Sequence, residues 1–186
     1  DYYSITQELP GTPQTGAVWA TERLNLAESF SVEFVAMFGP NSLSTDGIAF
    51  VMQTSGIRTL GDPGSGIGFR GIKPSFSVEF DTHPNRDMND PNFDHIGIIR
   101  DGINNHQLST SLITPVPISA SSQVISDSRE HTIKISWEST SRLIQVFVDC
   151  GLRVSYTVNL VNDIFGGVTD VFWGITASTG LNGNAH

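Results

Sequence analysis

The chain has 186 residues and sets 19 Asp and Glu against 10 Lys and Arg, a formal net charge of −9. That balance excludes a nucleic-acid partner, whose phosphate backbone needs clustered Lys and Arg. No apolar run reaches the length of a membrane span, so membrane insertion is not expected. The length suits a single domain that buries roughly 70% of the surface exposed by its unfolded chain. The first residue is Asp1 rather than Met and no signal peptide is visible, which fits a processed or excised segment.

Period-two patterning runs through the chain. Phe30, Val32, Phe34, Ala36 and Phe38 alternate with Ser31, Glu33, Val35 and Met37, so residues 30–38 are predicted as a strand. Further short strands are predicted at 48–53 (IAFVMQ), 76–81 (FSVEFD) and 95–100 (HIGIIR). Others follow at 131–137, 143–149, 153–158 and 171–178, each bounded by Gly, Pro, Asn, Asp or Ser. Residues 60–71 (LGDPGSGIGFRG) are dense in glycine, but no GK[ST] occurs and no helix follows. They read either as tight turns or as backbone bared for a close-approaching ligand. Residues 159–165 have room for one helical turn. Many short strands without crossover helices predict an all-β, antiparallel sandwich or jelly roll, with no internal domain boundary.

Chemistry concentrates in residues 79–95, EFDTHPNRDMNDPNFDH. Glu79 and Asp81 leave one face of a strand whose other face carries Phe76, Val78 and Phe80. Two carboxylates against a hydrophobic sheet need a counter-charge, and nearby cations are few: Lys73, Arg86 and Arg100. Calcium takes oxygen ligands from carboxylates, amides and carbonyls. Asp81, Asn85, Asp90 and the backbone carbonyl of His83 supply that set. A transition ion prefers carboxylate mixed with imidazole, which Glu79, Asp81, Asp90 and His95 supply, Asp81 and Asp90 bridging the two ions.

Other candidates are weaker. His106 and His131 have no companion spacing for a zinc site, and the serines at 109, 111, 119, 121 and 122 lack a nucleophile elbow. Trp19, Trp137 and Trp173 fall in strand patterns and are expected in the core. The single cysteine, Cys150, leaves no internal disulfide and reads either as a small buried thiol or as half of a bridge completed beyond residue 186.

The spacing E-x-D-x-x-x-N-x-x-x-x-D-x-x-x-x-H followed by IGI resembles the metal loop of L-type, legume-like lectins. TDGIAFVMQ (45–53) resembles that family's ADG-x-AF strand, and WGITASTGLNGNAH (173–186) resembles its GFSATTG-x-x-x-x-AH segment. The likeness runs from GAVWA (16–20) onward and is nearest to a bacterial branch found in larger secreted or surface proteins. It implies a single-domain lectin-type jelly-roll β-sandwich that binds Ca2+ and Mn2+ or another transition ion. It also implies a saccharide site made of Asp46, Asn85, the Gly66 amide, and the Leu181 and Asn182 amides.

His83 stands where plant members of the family carry a ring that stacks on sugar; its imidazole either stacks with less area or faces solvent. The chain as given stops at His186, before the family's last core strand, which is expected either to follow in a longer chain or to come from elsewhere. Bacterial relatives carry a second cysteine shortly after this point, and the resemblance then implies that Cys150 is half of a disulfide. The resemblance implies a non-catalytic glycan-binding module, secreted or at the cell surface, with a role in adhesion. The expected ligand is a mannose/glucose or galactose type. Two alternatives remain: a structural or protein-interaction module without sugar binding, and a glycoside hydrolase using Glu79 and Asp81 as its carboxyl pair.

Overall fold

The structure, a computed structural model, describes residues 3–7, 12–39, 45–121 and 124–180. Its strands are β1 (Thr15–Trp19), β2 (Leu24–Asn25), β3 (Phe30–Met37), β4 (Thr45–Gln53), β5 (Ser75–Asp81) and β6 (His95–Arg100). They continue as β7 (Val116–Pro117), β8 (Glu130–Glu138), β9 (Leu143–Val148), β10 (Gly151–Thr157) and β11 (Asp170–Thr179). Eight of them coincide with the runs predicted from period-two alternation. The frame holds too: in β3 Val32 and Ala36 are buried while Val35 and Met37 are exposed.

The strands form two antiparallel sheets. One runs β1-β11-β4-β5-β6-β7, with β2 also on β11; the other runs β10-β9-β8-β3. Each sheet turns one apolar face inward. Phe50, Phe76, Val78, Phe80, Ile96 and Ile98 of the larger sheet share one buried cluster with Val32, Ile133, Ile135, Trp137, Ile144 and Val146 of the smaller. Trp137 sits in this core with its indole N–H donating to the Leu26 carbonyl at 2.9 Å, which satisfies the one polar atom that burial would strand. Trp173 packs at its edge.

Residues 60–72 cross the outer face of the larger sheet. Ile67, Phe69 and Ile72 pack there on Ala49, Val51 and Ile99, with Trp19 at the margin. The loop is therefore more than a string of turns. Its glycines let the backbone lie close: Gly68 has φ 70°, and a Cβ there would stand 2.8 Å from Thr15 Oγ1.

Between β9 and β10, Asp149 and Cys150 both take positive φ, 49° and 67°, as a two-residue primed hairpin turn requires. This corrects one expectation. Cys150 is an exposed, free cysteine rather than a buried thiol, because the turn points it away from both sheets. The predicted helical turn at 159–165 is a single wide turn, Leu160–Ile164. No helix among the described residues is long and apolar enough to cross a membrane.

Truncating a fully buried side chain of the smaller sheet tests this arrangement. Ile135→Ala should cost roughly 2–5 kcal/mol in denaturant unfolding, whereas Val35→Thr, on the outer face of the adjacent strand, should stay within about 0.5 kcal/mol.

Candidate metal and sugar site

β5 lies between β4 and β6, and its residues alternate between two uses. Phe76, Val78 and Phe80 enter the core, while Glu79 and Asp81 leave the opposite face, 0% and 2% exposed. Their cross-strand neighbours are small or functional. Glu79 sits between Ala49 and Gly97, and Asp81 between Gly47 and His95. A Cβ at Gly97 would overlap Glu79 Oε1 and come within 3.0 Å of His106 Cε1, so the glycine of HIGI makes room for the carboxylate.

The loop after β5 returns over these groups. The His83 N–H donates to Asp81 Oδ1 at 2.7 Å, and the Asn85 N–H donates to Asp90 Oδ2 at 2.7 Å. Donor atoms of Asp81, Asp90 and His95 lie within 4.8 Å of one another, as do those of Glu79, His95 and His106. Four of the sequence-predicted ligands thus converge, Glu79, Asp81, Asp90 and His95, with Asn85 and His83 held beside them through their backbone N–H groups.

His106 joins them although its spacing gave no sign of it. The chain reverses after β6 through Asp101 and Gly102, both at positive φ, and the following segment docks on residues 86–90. The His106 N–H donates to the Met88 carbonyl at 2.9 Å, and Asn105 Nδ2 donates to the Asp87 carbonyl at 3.2 Å. This places His106 Nε2 2.9 Å from His95 Nε2, 3.1 Å from Glu79 Oε1 and 3.5 Å from Asp90 Oδ1. The sequence shows the RDG turn but not where the returning segment docks. His131 is elsewhere, between Asp127 and Asp149 on the surface.

Electrostatics set the problem this cluster poses. Burial pushes the carboxyls of Glu79, Asp81 and Asp90 above their ordinary values, Asp90 to about 7. The charges of Asp90 and Glu79 add to the rise at Asp81. His95 is driven down to about 3 by burial and by His106. At His106 burial lowers the pKa, but contact with Glu79 and the charges of Glu79 and Asp90 outweigh it and leave the pKa raised. Among the described residues Asn85 Oδ1 and Asp46 Oδ2 are buried without a hydrogen bond, and the oxygens of Glu79 meet only His106 Nε2, 3.1 Å from Oε1. Buried oxygens are nearly always satisfied, and orphaned carboxylate and amide oxygens packed together are the donor set of a hard divalent cation. The residues fit such an ion.

The remaining predicted residues border this cluster. Asp46, on β4 next to Gly47, is 3% exposed. Burial raises its pKa against the charge of His83, a hydrogen bond from the Asn85 side chain and the charge of Arg70. A Cβ at Gly180 would stand 3.4 Å from Asp46 Oδ2, which brings the end of β11 to the same spot. Gly66 lies in the loop over the sheet with its N–H donated to the Pro63 carbonyl at 3.1 Å. Arg70 ties that loop to the His106 segment, donating to Ser65 Oγ and to Asn104 Oδ1 at 2.9 Å each. Leu181 and Asn182 lie outside the described residues.

The legume lectin β-barrel domain model matches residues 3–186. The chain belongs to the L-type lectin family. A probable L-type lectin-domain containing receptor kinase S.7 from Arabidopsis thaliana is 32% identical over 133 residues, 67% of this chain; the chain spans 18% of that kinase's length. Basic winged bean lectin, solved with Tn-antigen, superposes with a TM-score of 0.72 at 19% identity, covering 98% of this chain and 81% of its own. The Bauhinia forficata lectin in complex with GalNAc gives 0.73 at 19% identity, covering 96% and 81%. These superpositions show the shared β-sandwich of antiparallel sheets. These relatives are plant proteins and give no support to placement on a bacterial branch.

Two outcomes follow for the L-type lectin site. In metal-free protein, folded Asp90 keeps its proton up to about pH 7, whereas the unfolded chain releases it near 3.8. The folded state binds more protons across that window, so stability falls as pH rises through it. His95 acts oppositely, since its unfolded form gives up a proton around its ordinary 6.5, and so offsets part of that loss. The chelated protein should therefore lose about 0.5 kcal/mol, roughly 1–2 °C in Tm, between about pH 6 and pH 8. Saturating divalent cation should abolish that loss in parallel melts. Separately, Gly97→Ala should destabilise by about 1–3 kcal/mol in denaturant titration, since the added methyl displaces Glu79.

Proposed function

We propose that this domain is a calcium-dependent, non-catalytic carbohydrate-binding module. The observation that carries the reading is the pairing of Asp46 and Asn85 beside the carboxylate cluster. The Asn85 amide donates to the Asp46 carboxylate, while Asn85 Oδ1 and Asp46 Oδ2 are buried with no partner among the described residues. One amide oxygen thus remains for a cation and one carboxylate oxygen for a sugar hydroxyl.

In this reading calcium is held by Asp81, Asn85 Oδ1, Asp90 and the His83 carbonyl, and Mn2+ or another transition ion by Glu79, Asp81, Asp90 and His95. Bound cations supply positive charge that lets the buried carboxylates stay ionised and fix the loop carrying Asn85. Asp46 accepts hydrogen bonds from adjacent hydroxyls and Asn85 donates to the ring substituents. Gly66, His83, Leu181 and Asn182 surround the saccharide. For Gly66 this means exchanging its bond to Pro63 for one to the ligand. Mannose/glucose and galactose types both present a suitable hydroxyl pair.

A shallow polar site binds one monosaccharide weakly because each new hydrogen bond replaces one to water. Avidity from several copies is the natural remedy. That suits a secreted or cell-surface setting and a role in adhesion or glycan recognition.

The rivals are weaker. A hydrolase needs two carboxyls flanking a bond in an open cleft, and Glu79 and Asp81 are 0% and 2% exposed. A structural module without sugar binding draws on one observation, the engagement of the Gly66 amide with Pro63. A glycan array with and without chelator, on wild type and Asp46→Ala, separates the readings. The lectin reading expects calcium-dependent signal that falls at least about tenfold in the variant, matching loss of one hydrogen bond to a charged group. Binding that persists under full chelation, or is unchanged in Asp46→Ala, rejects it.

A further inference from the structure

We propose that His106 is itself a ligand of the transition ion, and that the resulting two-imidazole site selects zinc, cobalt or nickel over manganese. The inference rests on the two-cation reading above and adds to it a residue and an ion class.

Hydrogen-bond direction carries the first step. Ser111 Oγ lies 3.0 Å from the Ile113 carbonyl, a pure acceptor, so the hydroxyl proton goes there. Its oxygen is left to accept the Nδ1–H of His106 at 3.1 Å. The Phe93 carbonyl, again only an acceptor, stands 3.3 Å from His95 Nδ1. Each ring therefore holds a proton on Nδ1 and, when neutral, presents a lone pair at Nε2. Those two nitrogens face each other at 2.9 Å. Two lone pairs at that distance repel unless a metal ion or a shared proton lies between or beside them.

Donor spacing identifies the cation. Zinc sits about 2.0–2.2 Å from nitrogen and oxygen ligands, so adjacent donors in its shell are about 3.0 Å apart at right angles and about 3.4 Å apart in a tetrahedron. The spacings from His106 Nε2 are 2.9 Å to His95 Nε2, 3.1 Å to Glu79 Oε1 and 3.5 Å to Asp90 Oδ1. Glu79 Oε1, 3.1 Å from His106 Nε2, thus has the spacing of a neighbouring ligand in such a shell. Ser111 and the Phe93 carbonyl then act as the outer partners that fix ring orientation in metal-bound histidines. Gly97 supplies room, since any Cβ would press on both Glu79 and His106.

Ion preference follows from the donors. Carboxylate and water suit manganese, while each added imidazole favours zinc, nickel and cobalt, which also stand above manganese in the general affinity order. The rival account is a proton shared by the two rings, making His106 a buried counter-ion that needs no metal.

Wild type and His106→Gln are each saturated with calcium and equilibrated with equimolar Zn2+ and Mn2+, in a His131→Gln background that removes the surface imidazole flanked by Asp127 and Asp149. Bound metal is measured by mass spectrometry and the zinc shell by X-ray absorption. The proposal expects zinc in excess of manganese and two imidazoles in the wild-type shell. In His106→Gln it expects one imidazole and zinc affinity lower by roughly 10–100-fold, at least the loss seen for outer-shell partners. One imidazole in the wild-type shell, or manganese preferred, overturns the role of His106 and leaves the two-cation reading standing. A protein that binds calcium but no transition ion overturns both, and the wild-type absorption measurement decides even if the variant fails to fold.

Discussion

Three carboxylates, Glu79, Asp81 and Asp90, are buried together with no Lys or Arg paired to them among the described residues. Removing an ion from water costs several kcal/mol even after relaxation, and like charges side by side raise that cost. Two responses are open to the folded chain: to hold protons, as the raised pKa of each group registers, or to take up cations. The nearest internal cations are imidazoles, and one of them, His95, is too poor a base in this setting to help. An external ion answers the constraint without giving up the charge that sugar and metal chemistry would use.

The sandwich makes this tolerable. β5 is the strand where the two requirements meet: Phe76, Val78 and Phe80 lock one face into the shared core, and the other face carries the acids at fixed 2-residue spacing. Rigid strands set Glu79, Asp81, Asp46 and His95, while loops bring Asn85, Asp90 and His106 to them. Smallness matters as much as chemistry here. Gly47, Ala49 and Gly97 line the acidic face so that the carboxylates have room to converge.

What could be read from sequence divides along the same line. Strand positions were legible because a half-buried strand writes its two faces into alternate residues; β3 and β8 hold that frame along most of their length. The clustering of Glu79, Asp81, Asp90 and His95 was legible because one short segment holds them all. His106 was not, since its place depends on a turn at Asp101 and Gly102, on its own N–H bond to Met88 and on the Asn105 amide bond to Asp87, and spacing encodes none of these. The glycine-dense segment was half legible: its turns were visible, but the burial of Ile67 and Phe69 against the outer sheet face depends on what β4 and β6 present there. Cys150 was misjudged for a related reason. A hairpin turn can hold any residue that tolerates positive φ, so hydrophobic character did not decide its burial.

Asn85 shows why metal and sugar chemistry are one problem in this reading. A side-chain amide has a donor end and an acceptor end that differ little in size, so its orientation is decided by its neighbours. With Nδ2 toward the Asp46 carboxylate, Oδ1 faces inward and has no partner among the described residues. Turning the amide over would set oxygen against carboxylate oxygen. A cation at Oδ1 removes the remaining cost of the favoured orientation and keeps the donor end aimed at Asp46. On the proposed reading such an ion would do more than hold a loop in place: it would decide whether the residue beside Asp46 offers a proton or a lone pair to an arriving hydroxyl. An Asp at position 85 would satisfy the ion equally well and would repel Asp46, so it is the amide that allows one side chain to serve both ligands.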